Sequence, residues 1–129
     1  MKIFHTADIH LGSRMDSRFN MEIADERKAE LRNTFKRLVE YAKGNGVSLI
    51  MLCGDIFDSD RPFKKDKDFF YSVVTANPDI DFLYLKGNHD ISDAIPEELP
   101  ENLKLFSERW TAYSYGDVVI CGTEICLAN

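Results

Sequence analysis

The sequence predicts an α/β fold in which parallel strands alternate with helices. Three apolar segments of strand length, residues 2–7, 47–53 and 82–85, are separated by two segments in which apolar residues recur at helical spacing. The middle segment, VSLIMLC, is apolar almost throughout, as expected of a strand that is covered on both faces. Strands that alternate with helices in this way favour a parallel sheet.

The first predicted strand, KIFHTA (2–7), leads into a polar loop that extends to Asn20. A helix is predicted next, because apolar residues then recur at the spacing of one helix face. These residues are Ile23, Leu31, Phe35, Leu38 and Ala42. The glycines of KGNG (43–46) end this helix.

The second strand, residues 47–53, precedes a shorter predicted helix. The apolar face of that helix is formed by Phe69, Phe70, Val73 and Val74. It ends before Asn77-Pro78, because proline disfavours helical geometry in the residue before it. FLYL (82–85) then forms the third strand.

Beyond Asp90 the pattern weakens into an acidic connection with two prolines, IPEELPENL (95–103). Short strand-like segments follow, namely LKLF, WTAYSY and DVVICGTEI. We expect these segments to begin a second sheet. No internal repeat or linker divides the chain, so residues 1–129 are expected to form a single domain.

Each of the first three predicted strands ends in polar residues: ADIH (7–10), GDIFD (54–58) and GNHD (87–90). Right-handed crossovers bring the carboxyl ends of parallel strands to one edge of the sheet, and ligands bind at that edge in open α/β folds. Taken singly, each cluster is ordinary turn chemistry. Taken together, the three clusters predict one shared site.

The side chains of these clusters suit divalent cations. Asp8 and His10 are separated by one residue, so in an extended chain both would point to the same side and bind one cation. Asp55 would place one oxygen on each of two cations. Asn88 would offer a neutral carbonyl oxygen to the second cation, and His89 would remain available for hydrogen bonding or proton transfer.

Several classes of protein do not fit the sequence. The longest apolar run, near VSLIMLCG, is well short of the roughly 18 to 20 residues of a membrane span. The start, MKIFHTADIH, does not have the continuous apolar segment of a secretory signal. We therefore expect a cytoplasmic protein without a membrane partner. The cysteines Cys53, Cys121 and Cys126 show no CxxC spacing, which favours buried reduced thiols over a disulfide framework or a zinc knuckle.

The net charge of −6 is unevenly distributed. Residues 1–75 contain 13 Lys and Arg against 12 Asp and Glu, whereas residues 76–129 contain 3 against 10. Cations bound at Asp8 and Asp55 would make the first part distinctly positive, which is compatible with a polyanionic substrate. The basic series of the first helix is interpreted as a solvated face rather than a DNA track. This series is Arg27, Lys28, Arg32, Lys36 and Arg37.

The motifs DIH, GDIFD and GNHD resemble the first three motifs of the calcineurin-like metallophosphoesterases, over residues 3–90. Three finer features are most similar to the SbcD-type DNA repair exonucleases, namely HTADIHLGS, GDIFDSDRP and the pattern of Arg27, Phe35, Leu38 and Ala42 in the first helix. This resemblance implies a two-metal nuclease, usually manganese-dependent, that acts on DNA beside an SbcC-type ATPase. It also implies a two-sheet sandwich flanked by helices, of which this chain would be the N-terminal part.

Carried over to this sequence, the resemblance implies four metal ligands, namely Asp8, His10, Asp55 and Asn88. Asp55 would bridge the two metals. His89 would face the substrate phosphate as a catalytic group, and the Asp58 carboxylate would orient the His89 imidazole. The implied reaction is phosphodiester hydrolysis, with the paired cations stabilising charge on the attacking and departing oxygens.

The sequence departs from the family pattern after His89. Family members supply further histidine ligands from the second half of the domain, typically in a GHxH motif, and no histidine follows His89 here. Residues 1–129 are therefore expected to be a single, incomplete phosphoesterase domain, as a fragment of a longer enzyme rather than a naturally shortened form. Such a domain would bind the second metal weakly and would be inactive alone if those ligands are required. Exposed sheet edges would favour a homodimer or aggregation.

Two other functions share the same motifs. A generic phosphomonoesterase or cyclic-nucleotide phosphodiesterase of the same superfamily would differ only in its substrate. A catalytically incomplete scaffold fragment would keep the three loops without assembling the site.

Overall fold

The computed structural model describes residues 1–13, 21–57, 62–86 and 98–124. Over these ranges the chain forms six strands and two helices. Their bounds are β1 Ile3–Thr6, α1 Met21–Gly44, β2 Leu49–Cys53, α2 Lys64–Ala76, β3 Asp81–Leu85, β4 Leu103–Leu105, β5 Thr111–Tyr115 and β6 Val118–Gly122.

Strands β1 to β4 form a parallel sheet in the order β1-β2-β3-β4. β2 lies inside this sheet, with Ile50 beside Phe4 of β1 and Phe82 of β3. Leu49, Ile50 and Leu52 of β2 are fully buried. The sheet confirms the predicted α/β fold with parallel strands, and the continuous apolar run of β2 follows from its cover on both faces.

Strand β4 corrects the prediction that residues 103–106 begin the second sheet. It pairs in parallel with β3, with Leu103 beside Phe82. The Phe82 amide donates to the Asn102 carbonyl at 2.7 Å. The buried Asn102 side-chain amide donates to three more carbonyls, those of Val74, Asn77 and Ile80, at 2.8, 2.9 and 2.9 Å. These bonds hold the segment before β4 against the end of α2 and the turn into β3, so β4 extends the first sheet.

Helices α1 and α2 cover one face of the parallel sheet through a cluster of aromatic rings. Phe35 of α1 stacks on Phe70 of α2, with ring centroids 5.8 Å apart. Phe70 also contacts Tyr84 of β3 at 5.7 Å and Phe57 at 5.6 Å between centroids. The apolar spacing in the sequence therefore identified the helix faces that form the core.

The hairpin of β5 and β6 lies on the opposite face of the parallel sheet and forms the second sheet that the sequence predicts, with antiparallel pairing. Leu49, Leu83 and Phe106 form a second apolar cluster on that face, against which Tyr113 and Tyr115 of the hairpin pack. The structure is therefore a mixed α/β arrangement of two sheets with flanking helices.

Three smaller expectations have mixed outcomes. Cys53 and Cys121 are free thiols but are not fully buried as predicted, because Cys53 is half-buried and Cys121 is exposed on the outward face of β6; Cys126 lies outside the described residues. In the part of the chain that the structure describes, neither helix has both the length and the hydrophobicity of a membrane span. Arg32 departs from the solvated basic face of α1, because its side chain is only 18% exposed and lies beside Asp66 of α2.

Candidate metal centre

The chain stays paired beyond the ends of β1 and β2. The amides of Asp8, His10 and Leu11 donate to the carbonyls of Gly54, Asp55 and Ile56, at 3.1, 3.0 and 2.7 Å respectively. Leu11 and Phe57 then form an isolated parallel bridge. Two of the predicted polar clusters are therefore held side by side by backbone hydrogen bonds, at the edge of the sheet where β1 and β2 end.

The backbone of the predicted ligands is unusual. In the part of the chain that the structure describes, the non-glycine residues with positive φ are Asp8, His10 and Asp55, at 57°, 53° and 52°. A side chain in this left-handed region costs of order 1–3 kcal/mol, and such residues cluster at functional sites. Asp and His are among the residue types that tolerate it best. Gly54, at φ 87°, allows the chain to leave β2 directly before Asp55.

The side chains of Asp8 and His10 converge for a different reason from the one that the sequence predicts. An extended chain was expected to place both side chains on one side. The two side chains do meet, with His10 Nε2 at 3.8 Å from Asp8 Oδ1, but both residues are left-handed rather than extended. Their convergence therefore depends on local turns that the backbone hydrogen bonds to residues 54–56 stabilise.

Ligand atoms of Asp8, His10 and Asp55 all lie within 4.8 Å of one another. Two carboxylates and one imidazole form a donor set that suits divalent ions of the first transition row. The Asp8 side chain is 68% exposed and the His10 side chain 35%, so the cluster is accessible to solvent. The close approach of two carboxylates would be relieved by a bound cation, and these residues therefore fit a divalent metal.

Cys53 immediately precedes this cluster at the end of β2. Burial raises the pKa of the Cys53 thiol above its ordinary value. Within the described residues, the group of converging ligand atoms contains Asp8, His10 and Asp55 but not Cys53. The candidate ligands are therefore oxygen and nitrogen donors.

Three predicted site residues, Asp58, Asn88 and His89, lie outside the described residues. The described chain approaches the third cluster at Lys86, which follows β3. Leu85 of β3 pairs with Cys53 of β2, so both strands end at the same edge of the sheet. Lys86 Nζ lies 3.7 Å from Glu124 Oε2, which links this edge to the second sheet.

A carboxylate and imidazole cluster at the carboxyl edge of a parallel sheet places this protein among candidate metal-dependent hydrolases. The family comparison agrees, because the calcineurin-like phosphoesterase profile matches residues 1–127. The chain belongs to the calcineurin-like phosphoesterase family, as its three motifs indicate.

Curated relatives of this chain include nucleases and DNA repair proteins. It is 30% identical over 105 residues to the SbcD component of the nuclease SbcCD from Rhodobacter capsulatus, covering 78% of this chain and 24% of the relative. For the SbcD component of Bacillus subtilis the identity is 29% over 103 residues, covering 78% and 25%. For the DNA double-strand break repair protein Mre11 of Sulfurisphaera tokodaii it is 28% over 130 residues, covering 94% and 32%. The chain thus spans about a quarter to a third of the length of these relatives.

Proposed function

We propose that this protein contributes the metal-binding part of a nuclease that hydrolyses phosphodiester bonds in DNA with two divalent ions, of which manganese is the best candidate. The observation that supports this most directly is the convergence of Asp8, His10 and Asp55, all left-handed, with ligand atoms within 4.8 Å of one another. The similarity to the SbcD component of SbcCD and to Mre11 supports DNA as the substrate.

The proposed roles follow the order of the motifs. The metal ligands are Asp8, His10, Asp55 and Asn88. These residues would hold the two ions, with Asp55 shared between them, and His89, oriented by Asp58, would contact the substrate phosphate. Divalent ions bound here would supply electrostatic stabilisation of the attacking and departing oxygens of the phosphodiester. Hydrogen bonding or proton transfer by His89 is a contribution commonly worth about 100-fold to 10,000-fold in rate.

The backbone of the site explains how this chain would prepare the ligands before a metal arrives. The amides of Asp8 and His10 donate to the carbonyls of Gly54 and Asp55. These bonds hold the segment after β1 beside the segment after β2. A preformed ligand set does not spend binding energy on ordering the loops. The chain's own contribution is therefore to hold carboxylates close together in a site that is accessible to solvent.

Partners of the protein are proposed on the same basis. Two relatives are each named as a component of the nuclease SbcCD, which supports an SbcC-type ATPase as a partner of this chain. We further propose that residues 1–129 belong to one phosphoesterase domain, that it works in the cytoplasm, and that it pairs with a second copy of itself.

Manganese binding and DNA cleavage test the proposal together. Wild-type protein should bind Mn²⁺ in calorimetric titrations, and Asp8→Ala and Asp55→Ala should each weaken binding at least tenfold because each removes a charged ligand. Asp68→Ala is the matched control, since Asp68 is an exposed acid on α2. Manganese-dependent cleavage of labelled duplex and single-stranded DNA should fall with the two ligand variants and with His89→Ala.

Full cleavage activity in Asp8→Ala and Asp55→Ala would overturn the proposed site. Release of phosphate from small esters without any cleavage of DNA would instead support a phosphomonoesterase of the same family. One observation favours a catalytically incomplete scaffold as the second candidate: within the described residues, the converging ligand atoms of Asp8, His10 and Asp55 form one group of three rather than two separate metal sites. Weak binding of a single ion with no hydrolysis of any phosphoester would support that candidate.

A further inference from the structure

Asp66 is a buried charged side chain in the first turn of α2. It is only 4% exposed, although a carboxylate away from water is costly unless it is paired. Arg32 of α1 supplies a partner, with Nη1 at 3.7 Å from Asp66 Oδ1. The N-terminus of α2 adds a favourable helix dipole. The carboxylate is therefore held between the two helices rather than in solvent.

The second carboxylate oxygen of Asp66 faces Gly12. A Cβ added at Gly12 would lie 2.5 Å from Asp66 Oδ2, a distance that real Cβ atoms essentially never show, and 3.2 Å from Cγ, which is also tight. Gly12 also has a φ of +80°, which L side chains rarely adopt. The Asp66 carboxylate thus lies directly against the backbone of residue 12, in a contact that requires glycine.

Gly12 belongs to the turn that holds His10. The Ser13 amide donates to the His10 carbonyl at 3.0 Å, which closes a turn over residues 10–13. The Leu11 amide, inside this turn, donates to the Ile56 carbonyl at 2.7 Å. One side of the turn is therefore fixed by the chain that follows β2, and the other side lies against Asp66 of α2.

We propose that Asp66 is a positioning residue for the metal centre. Its carboxylate, held by Arg32, fixes the turn over residues 10–13 and so sets the orientation of the His10 imidazole. This role rests on the proposed function, because it concerns the same ligand set. Residues that orient metal ligands from outside the ligand shell typically change metal affinity by about 10-fold to 100-fold when they are mutated. Asp66 acts through a turn, so an effect of about tenfold is expected.

Manganese affinity tests the positioning role. Asp66→Ala should weaken Mn²⁺ binding about tenfold, whereas Asp68→Ala, two residues along the same helix and exposed, should leave it unchanged. The electron paramagnetic resonance spectrum of bound Mn²⁺ should broaden in Asp66→Ala only, because it reports ligand geometry. Both are measured at a temperature where circular dichroism shows each variant folded. If Asp66→Ala does not fold, Asp66→Asn is measured in its place, because asparagine preserves the shape of the side chain without its charge.

The contact itself is tested by a double-mutant cycle. Gly12→Ala should weaken Mn²⁺ binding in the wild-type background. The same change should have a smaller effect in the Asp66→Ala background, because the carboxylate that the new methyl group would meet has been removed. Effects on affinity that simply multiply would overturn the proposed contact.

A measurement without metal separates this inference from the proposed function. The backbone amide resonances of His10 and Leu11 in the metal-free protein should shift in Asp66→Ala and stay in place in Asp68→Ala. If wild-type protein binds no Mn²⁺, the proposed function fails and these resonances still test the positioning. A folded Asp66→Ala protein with wild-type resonances, and with wild-type Mn²⁺ affinity where that is measurable, would overturn the positioning role.

Discussion

At the scale of single residues, the metal centre is distinguished by backbone strain. Asp8, His10 and Asp55 are each held with positive φ, and each backbone joins the hydrogen-bonded pairing of the two loops. Such strain persists only where surrounding contacts enforce it. We infer that stability is given up here to bring ligand atoms together.

This trade predicts opposite effects of one substitution on stability and on metal binding. Asp8→Gly should raise the free energy of unfolding of the metal-free protein by roughly 0.5–1 kcal/mol, because glycine adopts positive φ without strain. The same change should remove Mn²⁺ binding, since a ligand is lost. Urea denaturation and Mn²⁺ titration of the same protein measure both effects.

The control for that substitution is Asp68→Gly, at an exposed position inside α2. Glycine is less favourable than aspartate in a helix interior, so this variant should lose roughly a few tenths of a kcal/mol and bind Mn²⁺ normally. A metal-free Asp8→Gly protein that is less stable than wild type would contradict the strain at Asp8.

At the scale of elements, two side chains join parts of the fold that are distant in sequence. Asn102 connects the end of α2, the turn into β3 and the start of β4 through its side-chain amide. Tyr115 connects the hairpin to β3, where its hydroxyl donates to the Asp81 carboxylate at 2.8 Å. Each contact decides where a neighbouring strand lies.

Asn102→Ala should lower the free energy of unfolding by about 2 kcal/mol, because it removes the donor that serves buried carbonyls. Urea denaturation measures the change. Asn33→Ala, on the exposed face of α1, should leave stability unchanged or raise it slightly, since alanine is the better helix former. Equal changes in the free energy of unfolding at the two positions would show that the Asn102 hydrogen bonds do not stabilise the fold.

The environment of the Tyr115 hydroxyl predicts that the free energy of unfolding falls at alkaline pH. Burial, and then the hydrogen bond to Asp81, raise the pKa of the Tyr115 hydroxyl above its ordinary value. The folded protein therefore keeps this proton at pH values where the unfolded chain loses it. The stabilisation is complete below about pH 10 and declines as pH rises towards the folded pKa.

Tyr115→Phe should lower the free energy of unfolding near neutral pH by about 1 kcal/mol, because one hydrogen bond is lost. It should also make the decline in stability above about pH 10 shallower. Urea denaturation near neutral pH and above about pH 10 measures both changes in stability. Tyr41→Phe, at an exposed tyrosine of α1, is the control. An alkaline decline as steep as that of wild type would argue against the Tyr115 contribution.

At the scale of the whole molecule, the described sheets end in outer strands, and exposed apolar side chains lie on and beside the hairpin. β1 and β4 are the outer strands of the described parallel sheet, and β5 and β6 form a sheet of two strands. Trp110, beside the hairpin, is 76% exposed, and Val119 projects outward from β6. Exposed edges with apolar side chains favour association between chains.

We therefore expect the 129-residue protein to self-associate with increasing concentration in sedimentation velocity experiments. Val119→Lys should reduce this association, because a charge on an exposed strand opposes edge-to-edge pairing. Thr75→Lys, at an exposed position of α2, is the control and should have no effect. A wild-type protein that stays monomeric at all concentrations would contradict the expectation.

The features that the sequence predicts correctly are those that depend on residues close together in the chain. Apolar periodicity located α1 around Phe35 and α2 around Phe70, and the junctions of strands with polar residues located Asp8 and Asp55. The prediction for β4 is wrong about its sheet. Its short apolar segment does not reveal the side-chain hydrogen bonds of Asn102 that hold β4 beside β3. The roles of Asn88, His89 and Asp58 stay predictions.

By itself, the sequence determined which segments become helices and strands, and which chemical groups follow the strands, because both depend on residues that are near one another in the chain. Only the tertiary structure decided the left-handed geometry of Asp8, His10 and Asp55. It also decided the contact of Asp66 with Gly12 and Arg32. These features depend on packing between segments far apart in sequence, and no local pattern specifies which of them will touch.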